Sequence, residues 1–195
     1  VQDDYEPKKP EPGEAIVATR WAAMQGTALL CDRYYEELCN HYNPSFVQEG
    51  QRFHSYLTLT EEGIVGRECK VSQMHDAGHG GIFGALWELG SRIKMGISVD
   101  VEKIPLRMQT IETCEYLNCN PYELHSGGMM LMVTKNPDFV IARLDEYEIP
   151  AVIIGTVTKE KEKVCYLNGE KSFLTPTRRD QLSDLYFGKR LKEDK

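Results

Sequence analysis

A glycine-rich turn near the middle of the chain, His75-Asp76-Ala77-Gly78-His79-Gly80-Gly81, separates a strand-like segment from a helix-like one. Residues 70–74 predict a strand, and the apolar spacing of residues 82–89 predicts a helix that begins at the turn. A helix entered directly from a strand presents backbone N–H groups and the positive end of its dipole at that point. The order strand, turn, helix therefore predicts layered packing of strands and helices, with a potential anion-binding position at the turn.

The remaining segments extend this alternation. Strands are predicted over residues 15–19, 96–100, 129–133 and 151–157. Residues 164–174 predict a hairpin, because Asn168-Gly169 supplies the positive φ angles of a tight turn. Together these segments predict an α+β fold with a mixed sheet and helices packed on it.

Helices are predicted where glycine or proline opens a segment with helical apolar spacing. They begin at Gly26, Pro44 and Pro137, and a further one runs through residues 108–117. In the helix at Pro137, Phe139, Val140 and Leu144 are expected to face inward. Residues 61–66 are ambiguous, since two glycines weaken a helix there.

A chain of 195 residues with 41% hydrophobic content has the size of one domain with one core. We expect a linker over residues 1–13, because proline and charged residues dominate there, and further sequence upstream of it. The domain is expected over residues 14–188. Residues 189–195 are expected to form a charged tail.

The formal net charge is -7, and the basic residues form no continuous stripe. This pattern argues against nucleic acid and anionic membrane as partners, because both require clustered positive charge. No apolar run approaches the length of a membrane span, and the first residues do not resemble a signal peptide. The six cysteines are dispersed, and Cys114 and Cys119 are expected on different helix faces, so reduced thiols and a cytoplasmic location are expected.

Three interpretations of the glycine-rich turn remain open from the residues alone. Its glycines, Gly78, Gly80 and Gly81, can serve a purely structural tight turn. They can instead bring N–H groups close to a phosphate, with His79 touching the ligand and Asp76 holding Mg²⁺. A third interpretation is a metal site formed by His75, Asp76 and His79.

A second small-residue turn precedes the apolar run at residues 129–133. It consists of Ser126, Gly127 and Gly128. Such a turn is either required by the backbone or forms a ligand-facing loop.

Several stretches, in order, resemble the superfamily of aminoimidazole ribonucleotide (AIR) synthetase. The most specific is "DAGHGGIFGALWELG" at 76–90. The others that follow the family pattern are "PGEAIVATRWAAMQGTALL" at 12–30, "GISVDVEKIPLR" at 96–107, "CEYLNCNPYEL" at 114–124, "SGGMMLMV" at 126–133 and "IPAVIIGTVT" at 149–158. The spacing is most similar to the branch of hydrogenase-maturation carbamoyl dehydratases.

The resemblance implies a three-layer α/β C-terminal domain of the AIR synthase type, which closes over ATP and substrate. It implies ATP and Mg²⁺ as cofactors, an N-terminal domain of the same parent protein that supplies most of the magnesium ligands, a homodimer, and a small-molecule or protein substrate. Positions carried over to the ATP or substrate-phosphate site are Asp76, Gly78, His79, Gly80, Gly81, Ser126, Gly127, Gly128, Gly26 and Thr27.

The functional expectation is a domain of an enzyme for phosphoryl transfer or ATP-driven dehydration, incomplete without its N-terminal half. The alternative is a non-catalytic ligand-binding or regulatory member of the same fold. The dehydratase branch ends in a cysteine-bearing tail, whereas this sequence has no cysteine after Cys165. The reaction of that branch is therefore not expected of this chain.

Overall fold

The structure is a computed structural model that describes residues 6–176 and 180–187. Its described residues form one sheet of seven strands in the order β2-β4-β1-β5-β3-β6-β7. β3 and β6 are parallel, and the other neighbours are antiparallel. The strands are β1 (Ala15–Thr19), β2 (Gln73–Asp76), β3 (Gly96–Asp100), β4 (Met130–Thr134), β5 (Ala151–Thr158), β6 (Lys163–Leu167) and β7 (Glu170–Phe173).

Eight α-helices lie within the described ranges. They are α1 (Met24–Arg33), α2 (Tyr35–Cys39), α3 (Pro44–Gln51), α4 (Thr60–Glu68), α5 (Gly81–Ile93), α6 (Met108–Tyr116), α7 (Pro137–Asp145) and α8 (Gln181–Phe187). Short 3-10 turns occupy Arg52–Tyr56, Val101–Lys103 and Pro121–Glu123. The mixed sheet with helices around it confirms the predicted α+β fold.

The sheet is covered on both faces at β1, which explains why this strand is buried along its whole length, whereas the edge strand β7 is exposed throughout. Successive side chains of a strand point to opposite faces. Ile16 accordingly packs in the core cluster that contains Leu86 and Leu89 of α5. Val17 packs in a second cluster with Val65 of α4 and Val140 of α7. Helix, sheet and helix thus make the three layers.

A further helical cluster completes the domain. Its buried residues lie in or beside α1, α2, α3 and α6, with Leu124 added from the loop before β4, and Leu182 and Leu185 of α8 pack against it. The hydroxyl of Tyr34 donates to the backbone oxygen of Leu185 at 2.8 Å. These contacts attach α8, the last described element, to the body of the domain.

The predicted hairpin is present between β6 and β7, with φ values of 51° at Asn168 and 79° at Gly169. The ambiguous segment 61–66 is helical within α4. Its Gly66 is buried, and a Cβ there would stand 2.2 Å from Sδ of Met74. Close packing against β2 therefore explains this glycine.

Three sequence expectations are wrong in detail. The strand predicted at 70–74 runs instead over β2, because Lys70 has a φ of 52° just after α4 ends. Phe139 is 57% exposed, since α7 packs through Val140 and Leu144. Cys114 and Cys119 contact each other through their thiols, because the chain turns back after α6 and the Cys119 N–H donates to the Cys114 oxygen at 2.9 Å.

Residues 6–12 of the expected linker contain no helix or strand, yet Pro10 is buried. The expected tail at 189–195 lies outside the described residues, so the 14–188 boundary stays a prediction. No helix in the described ranges is long and apolar enough to cross a membrane.

Candidate functional site

The glycine-rich turn joins β2 directly to α5, as predicted. β2 ends with Asp76 opposite Met130 of β4, and the next N–H, that of Ala77, donates to the Met129 oxygen at 2.9 Å. Gly81 has a φ of 66°, and a Cβ there would stand 2.4 Å from the Tyr122 backbone oxygen. The turn therefore requires glycine at this position for both its conformation and its packing.

The second small-residue turn lies against the first. The Ser126 N–H donates to the Gly78 oxygen at 3.1 Å. The Ser126 hydroxyl is buried, donates to the Leu124 oxygen at 3.0 Å and accepts the N–H of Ala23 at 2.8 Å. Ser126 thereby satisfies an N–H group at the start of α1, which would otherwise lack a partner.

The start of α1 completes the same junction. The Gly26 N–H donates to the His125 oxygen at 2.9 Å, and a Cβ on Gly26 would stand 2.4 Å from Cγ of Leu124. The buried hydroxyl of Thr27 donates to the hydroxyl of Thr110 on α6 at 2.9 Å. The three segments singled out from the sequence thus meet. We call residues 76–81, 124–128 and 23–27 together the glycine junction.

The predicted site residues of the glycine junction differ in their exposure to solvent. Asp76 and His79 are exposed, and Gly78 and Gly127 are partly exposed. The others are buried: Gly26, Thr27, Gly80, Gly81, Ser126 and Gly128. The hydroxyls of Thr27 and Ser126 both have partners inside the domain, so the solvent-facing members are the ones available to a ligand.

Asp180, which the sequence reasoning did not single out, lies at the glycine junction. Its side chain is only 2% exposed. Oδ2 accepts the Gly80 N–H at 2.7 Å, and Oδ1 accepts the Leu182 N–H at 2.8 Å. A carboxylate of the chain itself therefore occupies the anion-favouring position at the start of α5.

Two imidazoles face the same carboxylate oxygen. Nδ1 of His125 lies 3.4 Å and Nδ1 of His79 lies 3.7 Å from Oδ2 of Asp180. Burial raises the pKa of Asp180, but His125 and the N–H groups of Gly80 and Leu182 favour the charged form and hold the pKa below its ordinary value. Asp180 is therefore a buried anion at neutral pH.

The metal trio suggested by the sequence is not assembled. Nε2 of His75 contacts Oε2 of Glu88 on α5 at 3.1 Å. Within the described ranges, the group of three His, Cys, Asp or Glu ligand atoms that lie within 4.8 Å of one another is His79, His125 and Asp180. The sequence did not predict Asp180 as a member of this group. An aspartate just before α8 is recognisable as a helix cap, but nothing in the neighbouring sequence indicates its contact with the distant Gly80.

Backbone donors also remain at the turn. In the part of the chain that the structure describes, the N–H groups of Gly78 and His79 donate to no oxygen. Oδ2 of Asp76 lies 3.9 Å from the position of a Cβ on Gly78. Two free donors and one exposed carboxylate therefore border the same turn, a donor set compatible with a phosphate and a bridging Mg²⁺.

A family profile described as AIR synthase related protein, C-terminal domain, matches residues 11–168. The chain belongs to this family. The resemblance drawn from the ordered motifs is thereby confirmed, together with the fold it implies.

Individual relatives are consistent with this assignment. The chain is 24% identical over 153 residues to carbamoyl dehydratase HypE from Rhizobium leguminosarum bv. viciae, covering 76% of this chain and 42% of the relative. The crystal structure of E. coli HypE matches with a TM-score of 0.73 and 18% identity, covering 89% of this chain and 53% of that one. A structure of HypE in complex with ATP matches with a TM-score of 0.65 and 18% identity, covering 91% and 54%.

The chain spans less than half the length of the curated HypE relative. At 18% identity, the solved structures establish the fold alone. Activity, substrate and partners therefore do not follow from these relatives.

Proposed function

We propose that the chain is the C-terminal, ATP- and substrate-closing domain of an AIR synthase-related, ATP-dependent enzyme. The reaction class is phosphoryl transfer or ATP-driven dehydration of a small-molecule or protein substrate. The observation that carries the proposal is the pair of N–H groups at Gly78 and His79, which have no acceptor within residues 6–176 and 180–187 and lie at a turn that leads into a helix.

Each solvent-facing residue has a role in this proposal. The N–H groups of Gly78 and His79 bind a phosphate oxygen, and the imidazole of His79, which is 65% exposed, contacts the same ligand. Asp76 contributes a carboxylate oxygen to Mg²⁺. The buried glycines, with Ser126 and Thr27, hold the backbone of the glycine junction in position.

The site is proposed to be incomplete within this chain. An N-terminal domain of the same parent protein would supply the other magnesium ligands, and the full-length protein would be a homodimer. Apolar side chains exposed on the described surface, such as Met108 at 58% and Phe173 at 61%, are available for such contacts. The six free cysteines fit the reducing cytoplasm as its location.

One observation favours the second candidate, a non-catalytic ligand-binding member of the family. Asp180 already takes the Gly80 N–H, and its negative charge lies beside the position proposed for a phosphate. Like charges at such short range weaken binding. In a family member that no longer binds or hydrolyses ATP, this carboxylate would impair no activity.

ATP titration in the presence of Mg²⁺ tests the proposal. By isothermal calorimetry, the chain alone is expected to bind weakly or undetectably. With the N-terminal domain of its parent protein present, ATP binding and hydrolysis are expected.

Variants then locate the site. In the complete protein, Asp76→Asn is expected to lower the rate of ATP hydrolysis at least about tenfold, because a magnesium ligand is lost. Asp138→Asn, an exposed aspartate on α7, is the matched control and should leave the rate unchanged. ATP binding without hydrolysis in the complete, folded protein would favour the non-catalytic candidate instead.

A further inference from the structure

Two side chains of the glycine junction and the neighbouring Asp180 present ligand atoms to one small space. They belong to His79, His125 and Asp180, and one ligand atom from each lies within 4.8 Å of the other two. His79 is 65% exposed, His125 is 25% exposed, and Asp180 is buried. The space between them is thus closed on the protein side and accessible from the side of His79.

The distances differ from those of an ordinary histidine–carboxylate hydrogen bond. Nε2 of His54 and Oδ2 of Asp32 form such a pair at 2.8 Å. In the junction, the two imidazole nitrogens stand 3.4 Å and 3.7 Å from the carboxylate oxygen, at or beyond the limit of a hydrogen bond. Both contacts are therefore longer than that pair, although the His125 side chain still favours the charged form of Asp180.

The same distances fit a shared metal ion. Zinc binds nitrogen and oxygen ligands at about 2.0 to 2.1 Å, so neighbouring ligands of a tetrahedral site lie roughly 3.3 Å apart. The His125–Asp180 distance of 3.4 Å is close to this value. His79 is 65% exposed, so its side chain has room to adjust its position toward this distance.

We propose that His79, His125 and Asp180 form a binding site for a divalent transition metal, with Zn²⁺ as the principal ion. Two imidazoles and one carboxylate are a donor set that zinc accepts, and three protein ligands leave the fourth position for water or a ligand oxygen. This site is separate from the magnesium position proposed at Asp76, but it shares the His79 imidazole with the proposed phosphate position, so zinc and phosphate would meet at His79.

The surroundings of Asp180 support this role. Its oxygens accept the N–H groups of Gly80 and Leu182, which fixes the orientation of the carboxylate before a metal arrives. Hydrogen bonds to a ligating carboxylate are the usual second layer of a metal site. The backbone of His125 is held in the same way, because its oxygen accepts the Gly26 N–H.

Metal titration of the chelator-treated, 195-residue chain tests the proposal. Competition with a chromophoric chelator at about 10 µM protein is expected to give one Zn²⁺ per chain. His79→Gln and His125→Gln are each expected to weaken Zn²⁺ binding at least about tenfold, and the double variant more. Thermal unfolding of the metal-free variants, compared with the metal-free parent chain, verifies that they fold.

The matched control is His54→Gln, which removes a histidine that also faces an aspartate but has no third ligand beside it within the described residues. Its zinc affinity should equal that of the parent chain. Co²⁺ provides a spectroscopic check: the site should give visible bands of a tetrahedral complex without thiolate charge transfer.

Three results would overturn the assignment. The first is the absence of stoichiometric zinc binding, and the second is a zinc affinity in the folded double histidine variant equal to that of the parent chain. The third is loss of zinc binding in Cys114→Ser together with a thiolate charge-transfer band in the Co²⁺ spectrum of the parent chain. The last would place the metal at the contacting thiols of Cys114 and Cys119 instead. Because no nucleotide is present in these titrations, their outcome is independent of ATP binding.

Discussion

Gly81 is the residue at which the glycine junction is most tightly constrained. Its φ of 66° lies in the left-handed region, and a Cβ would stand 2.4 Å from the Tyr122 oxygen and 2.8 Å from Cα of Glu123. Both obstacles belong to the backbone, so no side-chain rotation relieves the contact. A methyl group at this position must displace one of the two segments.

We expect Gly81→Ala to lower the free energy of unfolding by about 2 to 5 kcal/mol, from left-handed strain together with overpacking. Gly169→Ala is the matched control, because Gly169 has a φ of 79° but no atom within 4 Å of its Cβ position. Gly169→Ala should lower the free energy of unfolding by only about 1 to 2 kcal/mol, because backbone strain is its sole effect. Urea denaturation of both variants measures the difference in the free energy of unfolding. Equal losses of stability in the two variants would mean that the Tyr122 segment moves aside without cost and would contradict the proposed overpacking.

At the scale of elements, α1 and α3 approach each other through a glycine. A Cβ on Gly50 of α3 would stand 2.6 Å from Sγ of Cys31 on α1. Cys31 is 1% exposed, and its thiol contacts the hydroxyl of Thr113 at 3.7 Å. The sulfur is therefore enclosed by the helical cluster and cannot move aside.

Gly50→Ala is expected to destabilise the domain by about 1 to 3 kcal/mol, because overpacking outweighs the higher helix propensity of alanine. Gly63→Ala, in α4 with no atom within 4 Å of the added Cβ, should instead stabilise it by about 0.5 to 1 kcal/mol. Chemical denaturation compares the two.

Adding Cys31→Ala to Gly50→Ala isolates the contact. The double variant should lose less stability than the sum of the two single losses, since the alanine methyl then has room. Strict additivity would contradict the proposed clash.

Which elements could be predicted depended on how local their signals were. β1 and the β6–β7 hairpin were predictable because a short apolar and β-branched run and the Asn168-Gly169 turn are signals contained within a few residues. The helical state of segment 61–66 was not, since Gly66 is fixed by its contact with Met74 on another element. The exposure of Phe139 likewise depends on which side of α7 meets the sheet.

At the scale of the whole molecule, the glycine junction combines three segments of the chain, and Asp180 joins it from a fourth region. Ala23 meets Ser126, and Gly80 meets Asp180 across 100 residues. The glycine-rich turns could be found from the sequence because glycine itself is the signal. The role of Asp180 could not, because its cap signal describes α8 and carries no information on a distant partner.

We expect Asp180→Ala to accelerate amide hydrogen exchange in the segment containing Gly80 and Gly81, because the buried Gly80 N–H loses its acceptor. Exchange in α8 should also increase, since Leu182 loses its cap. Mass spectrometry of peptic fragments measures both.

Asp138→Ala, an exposed position on α7, is the control for the exchange experiment. It should leave exchange in residues 78–82 unchanged. Unchanged exchange in that segment of Asp180→Ala would show that the carboxylate does not protect the turn.

The Gly80–Asp180 bond has a consequence for ligands. Any anion that takes the Gly80 N–H must displace the carboxylate at the start of α8, so its affinity includes the free energy of releasing that cap. Thermodynamic reciprocity requires the converse. If anion binding weakens the attachment of α8 by a given factor, release of α8 strengthens anion binding by the same factor. The attachment of the last described helix would then act as a competitive regulator of the turn, 100 residues earlier in the chain.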